Sequence, residues 1–344
     1  MDDARQIENP SSLAPVWKTG KKRRRSRWRK ILSRYVGYAC LRAVHAVVCR
    51  LPWPVGRGLA WVAGTGAYFF SRRDRHIALQ SLTRVYGAEM PPSRVRALAR
   101  ESFRHAARVA IDWVILRRWP RAKLLERFPE IAEQLRQVER DVKATGSGCV
   151  HMTAHCGSWE TYSLLYSHFT PGLLVPIAKR LYFKKYGDFL HRLRSETGLE
   201  MIYSDESPRR LIHALREGKM TAFLADQDLR TNSGVFVDFL GLPAYTVTFP
   251  VDLARKVGVK IFFTILMQEG RSFRVAYPRK PWELPNTGDE KADVLATTQL
   301  WTQMLEEEIR KSPSQWMWMH PRWRTTPENP RRQRDQQQRK GGGT

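Results

Sequence analysis

The apolar positions of this chain keep a helical period first and a mixed strand–helix period later. Over residues 31–49, Arg34, Tyr38, Arg42 and His45 recur at helical spacing and predict one polar stripe, with Ile31, Val36, Cys40, Val47 and Val48 on the remaining surface. Pro52 and Pro54 predict a break. Residues 58–71 (GLAWVAGTGAYFFS) then run 14 positions without a charge, whereas an independent bilayer span needs about 20. Ser93–Trp119 predicts an amphipathic helix capped by Ser93, and Arg121–Val142 a second helix.

From residue 148 short apolar runs alternate with helical segments. Strands are predicted over Gly148–Ala154, Leu173–Ala178, Met201–Tyr203, Met220–Leu224, Gly234–Leu240, Val259–Met267 and Phe273–Tyr277. Helices are predicted over Gly157–Phe169, Phe183–Thr197, Ser207–Glu217, Phe249–Val257 and Glu290–Lys311. This alternation predicts an α/β fold with a mainly parallel central sheet flanked by helices. The Arg/Gln-rich stretch 327–344 ends in three glycines and predicts a disordered polar tail.

Charge changes the picture most. Lys and Arg number 59 against 33 acids, a formal +26. Residues 1–30 carry +7 and 331–344 carry +4, so about +15 stays on the body. Lys21–Lys30 (KKRRRSRWRK) holds eight basic residues in ten and reads as a disordered basic segment over 1–30. A basic cluster followed by amphipathic apolar helices over 31–75, with Trp53, Trp61 and Tyr68 suited to a headgroup boundary, argues for a protein lying on or dipping into an anionic membrane. A buried helical hairpin is the plainer alternative. A 42% apolar, 11% aromatic composition predicts a folded body, here 76–326. The scattered Cys40, Cys49, Cys149 and Cys156 argue against a zinc ribbon or a disulfide scaffold. Phosphate loops of the Gly-x-x-x-x-Gly-Lys and Gly-x-Gly-x-x-Gly types are absent from the sequence.

The segment His151-Met-Thr-Ala-His-Cys-Gly-Ser-Trp-Glu160 concentrates the candidate chemistry. His155 follows a predicted strand and precedes a predicted helix, and Glu160 lies on that helix's first turns. With His155 in the turn, Glu160 is expected to meet its imidazole, fix the tautomer and leave the other nitrogen to take a proton from a hydroxyl. Gly157 is expected to let substrate approach the backbone. On spacing alone, a structural histidine and a helix-start glutamate account for the same residues. Cys156 reads as a small packed residue rather than a nucleophile. Asp226 and Asp228 (ADQD) read as turn caps or charge partners of Arg230 rather than a metal site. Trp316, Trp318 and Trp323 read as packing.

TAHCGSWE resembles the H-x-G-N-W-E block of the lipid A late acyltransferases, the lauroyl/myristoyl transferases of lipopolysaccharide synthesis. Three further segments agree in order: PIAKRLYFKKYGDFLHRLRSETGLEMI, LADQDLRTNSGVFVDFLGLPAYTVTFPVDLARKVGV and LEEEIRKSPSQWMWMHPRWRT. The resemblance implies a glycerolipid-acyltransferase-like fold with N-terminal membrane-associated helices, on the cytoplasmic face of a Gram-negative inner membrane. It implies His155 as general base, Glu160 as supporting acid, and neither metal nor cofactor. Its donor is an acyl thioester on acyl carrier protein. Its acceptor is a hydroxyl of an anionic glycolipid, the Kdo-bearing lipid A precursor. Lys179 or Arg180, in place of a family Arg, is a candidate phosphate contact, and Gln227 matches the family's A-D-Q. Ser158 departs from the usual Asn. Two rivals stay open: a sister enzyme acting on another glycolipid or aminolipid, and a non-catalytic basic protein binding membrane or nucleic acid. The resemblance itself points away from nucleic acid.

Overall fold

The computed structural model describes residues 27–229, 233–277 and 279–328. The expected basic segment and polar tail lie almost wholly outside the described residues, as does Arg230. The chain divides into two compact units between Arg42 and Ala43. Of the first, residues 27–42 are helical and begin α1 (Arg27–Val48), with Leu32, Tyr35 and Val36 exposed.

The second unit holds the rest. Its helical half comprises α2 (Trp53–Phe70), α3 (Arg72–Tyr86), α4 (Pro92–Leu116), α5 (Arg121–Arg127) and α6 (Pro129–Lys143). The proline break appears where expected, and Pro54 falls in the first turn of α2, where its missing N–H costs nothing. Helix α4 starts one residue before Ser93, with Pro92 in its first turn, so Ser93 is not the cap. The single helix expected over 121–142 is two: Pro129 drives Phe128 out of the helical region (φ −132°, ψ 53°). Helices α2 and α4 pack closely because Gly64 has no side chain; a Cβ there would lie 2.4 Å from the Arg104 Cα. The opposite face of α2 leaves Val55, Leu59, Val62 and Phe69 exposed. No helix among the described residues is long and apolar enough to cross a membrane.

The α/β half runs β1 (Cys149–Thr153), α7 (Trp159–Phe169), β2 (Leu174–Ala178), α8 (Lys184–Ser195), β3 (Ile202–Tyr203), α9 (Pro208–Arg216) and β4 (Met220–Leu224). It continues with β5 (Gly234–Phe239), β6 (Leu242–Val247), α10 (Phe249–Val257), β7 (Ile261–Phe263), β8 (Ile265–Glu269), β9 (Ser272–Ala276) and α11 (Glu290–Lys311). Five strands form a parallel sheet in the order β3-β2-β4-β1-β7, the fold class expected. Every residue of β1 is buried, as an apolar strand covered on both faces requires. Ser207 caps α9 by accepting from the Arg209 N–H, Asp289 caps α11, and Gly258 (φ 75°) closes α10. The long strand expected over 259–267 divides at Thr264. Its first part joins β1 in parallel, and its second forms an antiparallel hairpin with β9.

Candidate active site

Strands β1 and β4 are parallel neighbours with Thr153 opposite Leu224. Two residues beyond each lie His155 and Asp226, so the strand register delivers both side chains to the carboxyl edge of the sheet. Ligand sites of open parallel sheets form at that edge. The His155 Nδ1 lies 2.9 Å from the Asp226 Oδ1. The other carboxylate oxygen accepts from the Trp316 indole N–H at 2.9 Å. With its Nδ1–H committed to Asp226, the imidazole keeps its lone pair on Nε2. The ring is 23% exposed while Asp226 is 2% exposed, so the imidazole reaches the surface and its partner is sealed.

The electrostatics follow. Burial pushes the Asp226 carboxyl up, but the imidazolium, its hydrogen bond and the indole N–H outweigh it and hold the group at about 2. Burial pushes His155 down, and the Asp226 charge and hydrogen bond, with a smaller contribution from Glu160, raise it above its usual 6.5. A histidine held by a buried carboxylate and open on its other nitrogen can accept a hydroxyl proton and return it.

The turn carrying His155 is clamped on several sides. The His155 carbonyl accepts from Met317 N–H at 3.1 Å, Gly157 N–H donates to Gln315 O at 2.9 Å, and Ser158 N–H donates to Leu266 O at 2.7 Å. Trp159 meets the imidazole edge-on, with ring centres 5.5 Å apart. Gly157 has φ +62°, and a Cβ would lie 2.1 Å from the Leu266 carbonyl oxygen. It is buried against β8, so its small size admits protein backbone, not substrate as expected.

Glu160 does not meet His155 as the spacing suggested. It forms a bidentate pair with Arg194 of α8, with Nη2–Oε1 at 2.5 Å and Nε–Oε2 at 3.2 Å, which ties the first turn of α7 to α8. Five positions from His155 and past the turn, its carboxylate points to α8. Lys179 and Arg180 follow β2 at the same sheet edge. Arg180 already pairs with Asp205 and Glu206 and lies over the Tyr203 ring. Lys179 is exposed and makes no ion pair among the described residues. Gln227 is half-buried beside Asp226. Asp228 is a cap: it accepts from the Thr325 N–H and hydroxyl, and among the described residues its charge partner is Arg324 at 3.6 Å; the expected partner Arg230 lies outside them.

Asp226 as the partner of His155, Trp316 as its second donor and Arg194 as the partner of Glu160 were not read from the sequence. The signal for Asp226 was present: it stands at the same distance past β4 as His155 past β1. Cys156 is fully buried and burial pushes its thiol well above the usual range, which suits packing and not a thiolate nucleophile. Trp316, Trp318 and Trp323 cluster with Phe239 in the interior. Among the described residues no group of three metal-ligating side chains occurs.

Residues 19–325 match the family described as bacterial lipid A biosynthesis acyltransferase. A phosphatidylinositol mannoside acyltransferase of Mycobacterium tuberculosis is 26% identical over 268 residues, covering 75% of this chain and 80% of the relative. A lipid A biosynthesis lauroyltransferase of Escherichia coli is 25% identical over 292 residues, covering 82% and 89%. A phosphatidylinositol mannoside acyltransferase of Mycolicibacterium smegmatis is 24% identical over 304 residues, covering 84% and 90%.

Proposed function

The chain belongs to the bacterial lipid A biosynthesis acyltransferase family, and from that premise we propose that it moves a fatty acyl group from an acyl-carrier-protein thioester to a hydroxyl of an anionic glycolipid. The observation that carries the reading is the His155–Asp226 pair, with Nε2 open at the carboxyl edge of the sheet. In the proposed reaction Nε2 takes the acceptor hydroxyl proton as the oxygen attacks the thioester carbonyl carbon. The tetrahedral adduct collapses, the C–S bond breaks, and the imidazolium returns the proton to the leaving thiolate. Asp226 stabilises the imidazolium while it exists. Glu160 and Arg194 hold the start of α7, so Glu160 serves as a positioning acid.

The acceptor in the first reading is a Kdo-bearing lipid A precursor. Lys179, exposed and without an ion-pair partner among the described residues, is the proposed phosphate contact, with Gln227 beside the base. Relatives named for phosphatidylinositol mannoside acylation support a second reading, in which the acceptor is another glycolipid. Both acceptors and an acidic carrier protein suit a chain of formal charge +26. The exposed apolar stripe of α2 supports contact with a membrane, on the cytoplasmic face where carrier-protein thioesters reside. A basic protein without chemistry, the rival from another class, leaves the sealed carboxylate behind His155 unexplained.

The test is a transfer assay on detergent-purified protein with a mixed acyl-carrier-protein pool. Two acceptors are supplied separately, the Kdo-bearing tetra-acyl precursor and a phosphatidylinositol mannoside, and products are read by mass spectrometry. One added acyl group, lost in His155→Ala, supports the reading and identifies the acceptor. No transfer to either acceptor by folded protein removes both.

A further inference from the structure

Away from His155, a cavity of about 330 Å³ opens between α2, α4, the β8–β9 hairpin and the 3-10 turn Pro313–Gln315. Arg104 and Arg108, one helical turn apart on α4, both line it. Arg104 donates from Nε to the Thr65 hydroxyl at 2.8 Å and lies over the Trp61 ring; Arg108 donates from Nη1 to the Gln268 Oε1 at 3.2 Å. Among the described residues each thus uses one of five guanidinium donors. Neither makes an ion pair among the described residues, although Glu101 also lines the cavity. Burial and then a like-charged neighbour, Arg100 for the first and Arg57 for the second, hold both guanidiniums below their usual range. Gln268, 7% exposed, adds a buried Nε2 with no hydrogen-bond partner among the described residues. Under-used guanidiniums beside an orphaned amide donor suit an anion with several acceptor oxygens, the chemistry of a phosphate.

Two further observations say where that phosphate comes from and what it touches. Trp61 is half exposed on α2, between the exposed Leu59 and Val62, so the cavity borders the apolar stripe of α2. Its inner wall is the back of the catalytic turn. The His105 Nε2–H donates to the Gly157 carbonyl at 2.9 Å, Gly157 N–H donates to Gln315 O, and Gln315 and Gln268 exchange side-chain and backbone hydrogen bonds at 2.9 Å.

We propose that this cavity seats the phosphate of an anionic membrane lipid, directly behind the turn that carries His155. The proposal rests on the membrane contact of α2. An occupied cavity braces the Gly157 backbone from the side opposite the substrate and couples lipid binding to the position of the base.

The full-length protein is floated at high ionic strength, which screens the basic terminus, with vesicles of phosphatidylcholine alone or with added phosphatidate. Thermal melting is followed with inorganic phosphate against chloride at equal ionic strength. Two variants attack the cavity: Arg104→Gln with Arg108→Gln, and Ser314→Asp, which places a carboxylate at its wall and keeps both arginines. A third, Arg209→Gln with Arg216→Gln, removes the same charge from exposed positions of α9. Expected is an affinity for phosphatidate vesicles about tenfold weaker in both cavity variants and unchanged in the α9 control. Phosphate is expected to raise the melting midpoint of the wild type alone among the first three proteins. Equal vesicle binding by all four proteins, with no phosphate effect, overturns the proposal. A phosphate effect on melting without a vesicle difference overturns the lipid assignment in favour of a soluble phosphate. Failure of every protein to float on phosphatidylcholine overturns the membrane contact of α2 itself.

Discussion

Replacing Asp226 with Asn tests the proposed chemistry at one atom. The wild-type carboxylate accepts twice, from His155 Nδ1–H and from Trp316 Nε1–H, each at 2.9 Å. An asparagine has one carbonyl oxygen and the indole can only donate. If that oxygen keeps Trp316, the amide N–H₂ faces Nδ1, the proton moves to Nε2, and the base loses its lone pair. If it keeps His155, two donors meet at Trp316. The first arrangement removes general-base catalysis, worth about 10²–10⁴ in rate. The second leaves a buried donor unpaired, at about 1–3 kcal/mol. We therefore expect kcat/KM in the transfer assay to fall by about 10²–10⁴-fold, with the protein still folded.

The pH dependence supplies an independent readout. Asp226 sits at about 2 against an ordinary 3.8, so its contribution to stability, on the order of 2 kcal/mol, is present above pH 3.8 and lost as the pH falls towards 2. His155 is raised, so its contribution is complete below 6.5 and lost as the pH rises through its folded value. Wild type should exceed the Asn variant in stability most between pH 3.8 and 6.5. The acid limb of wild-type kcat/KM should lie above 6.5, because the base must be neutral, and should move to lower pH in the variant. A variant with wild-type kcat/KM and an unmoved acid limb would refute the dyad.

Glu160→Gln and Arg194→Gln should each lower transfer about tenfold, less than His155→Ala, and the double variant should be no worse than either single one; additive losses would separate the two residues. Cys156→Ala should keep wild-type transfer, and iodoacetamide should label the exposed Cys40 while sparing Cys156 in the folded protein; labelling of Cys156 with loss of activity would revive a thiol role. Gly157→Ala should lower the unfolding free energy, read from the urea midpoint, by more than the about 1–2 kcal/mol of a left-handed backbone alone, because its Cβ also meets the Leu266 carbonyl. An unchanged midpoint would show that β8 yields at that point.

Local pattern carried much of the architecture. The limits of α10 and α11 agree with the helical period residue for residue, and Met220–Leu224 is β4 as its apolar run suggested. The hairpin of β5 and β6 was half legible. Its turn uses Leu240 and Gly241, both at positive φ (56° and 76°), and a leucine there hides the usual Asn-Gly signal. The break of 259–267 was hidden for another reason: the residues on both sides of Thr264 are apolar, and only their different pairing partners divide them.

The candidate site divides along the same line. That His155 stands in a strand-to-helix turn was determined by the sequence itself, because apolar periodicity marks the strand before it and the helix after it. Its partner was decided by tertiary structure. The nearest carboxylate along the chain, Glu160, lies five positions away, and α7 turns it towards Arg194. Asp226 lies 71 positions away and arrives at the imidazole, and Trp316, a further 90 beyond that, arrives at the far oxygen of Asp226. The physical reason is that side-chain direction within one element follows from its own period, whereas parallel strands are paired through a crossover whose register no local spacing records.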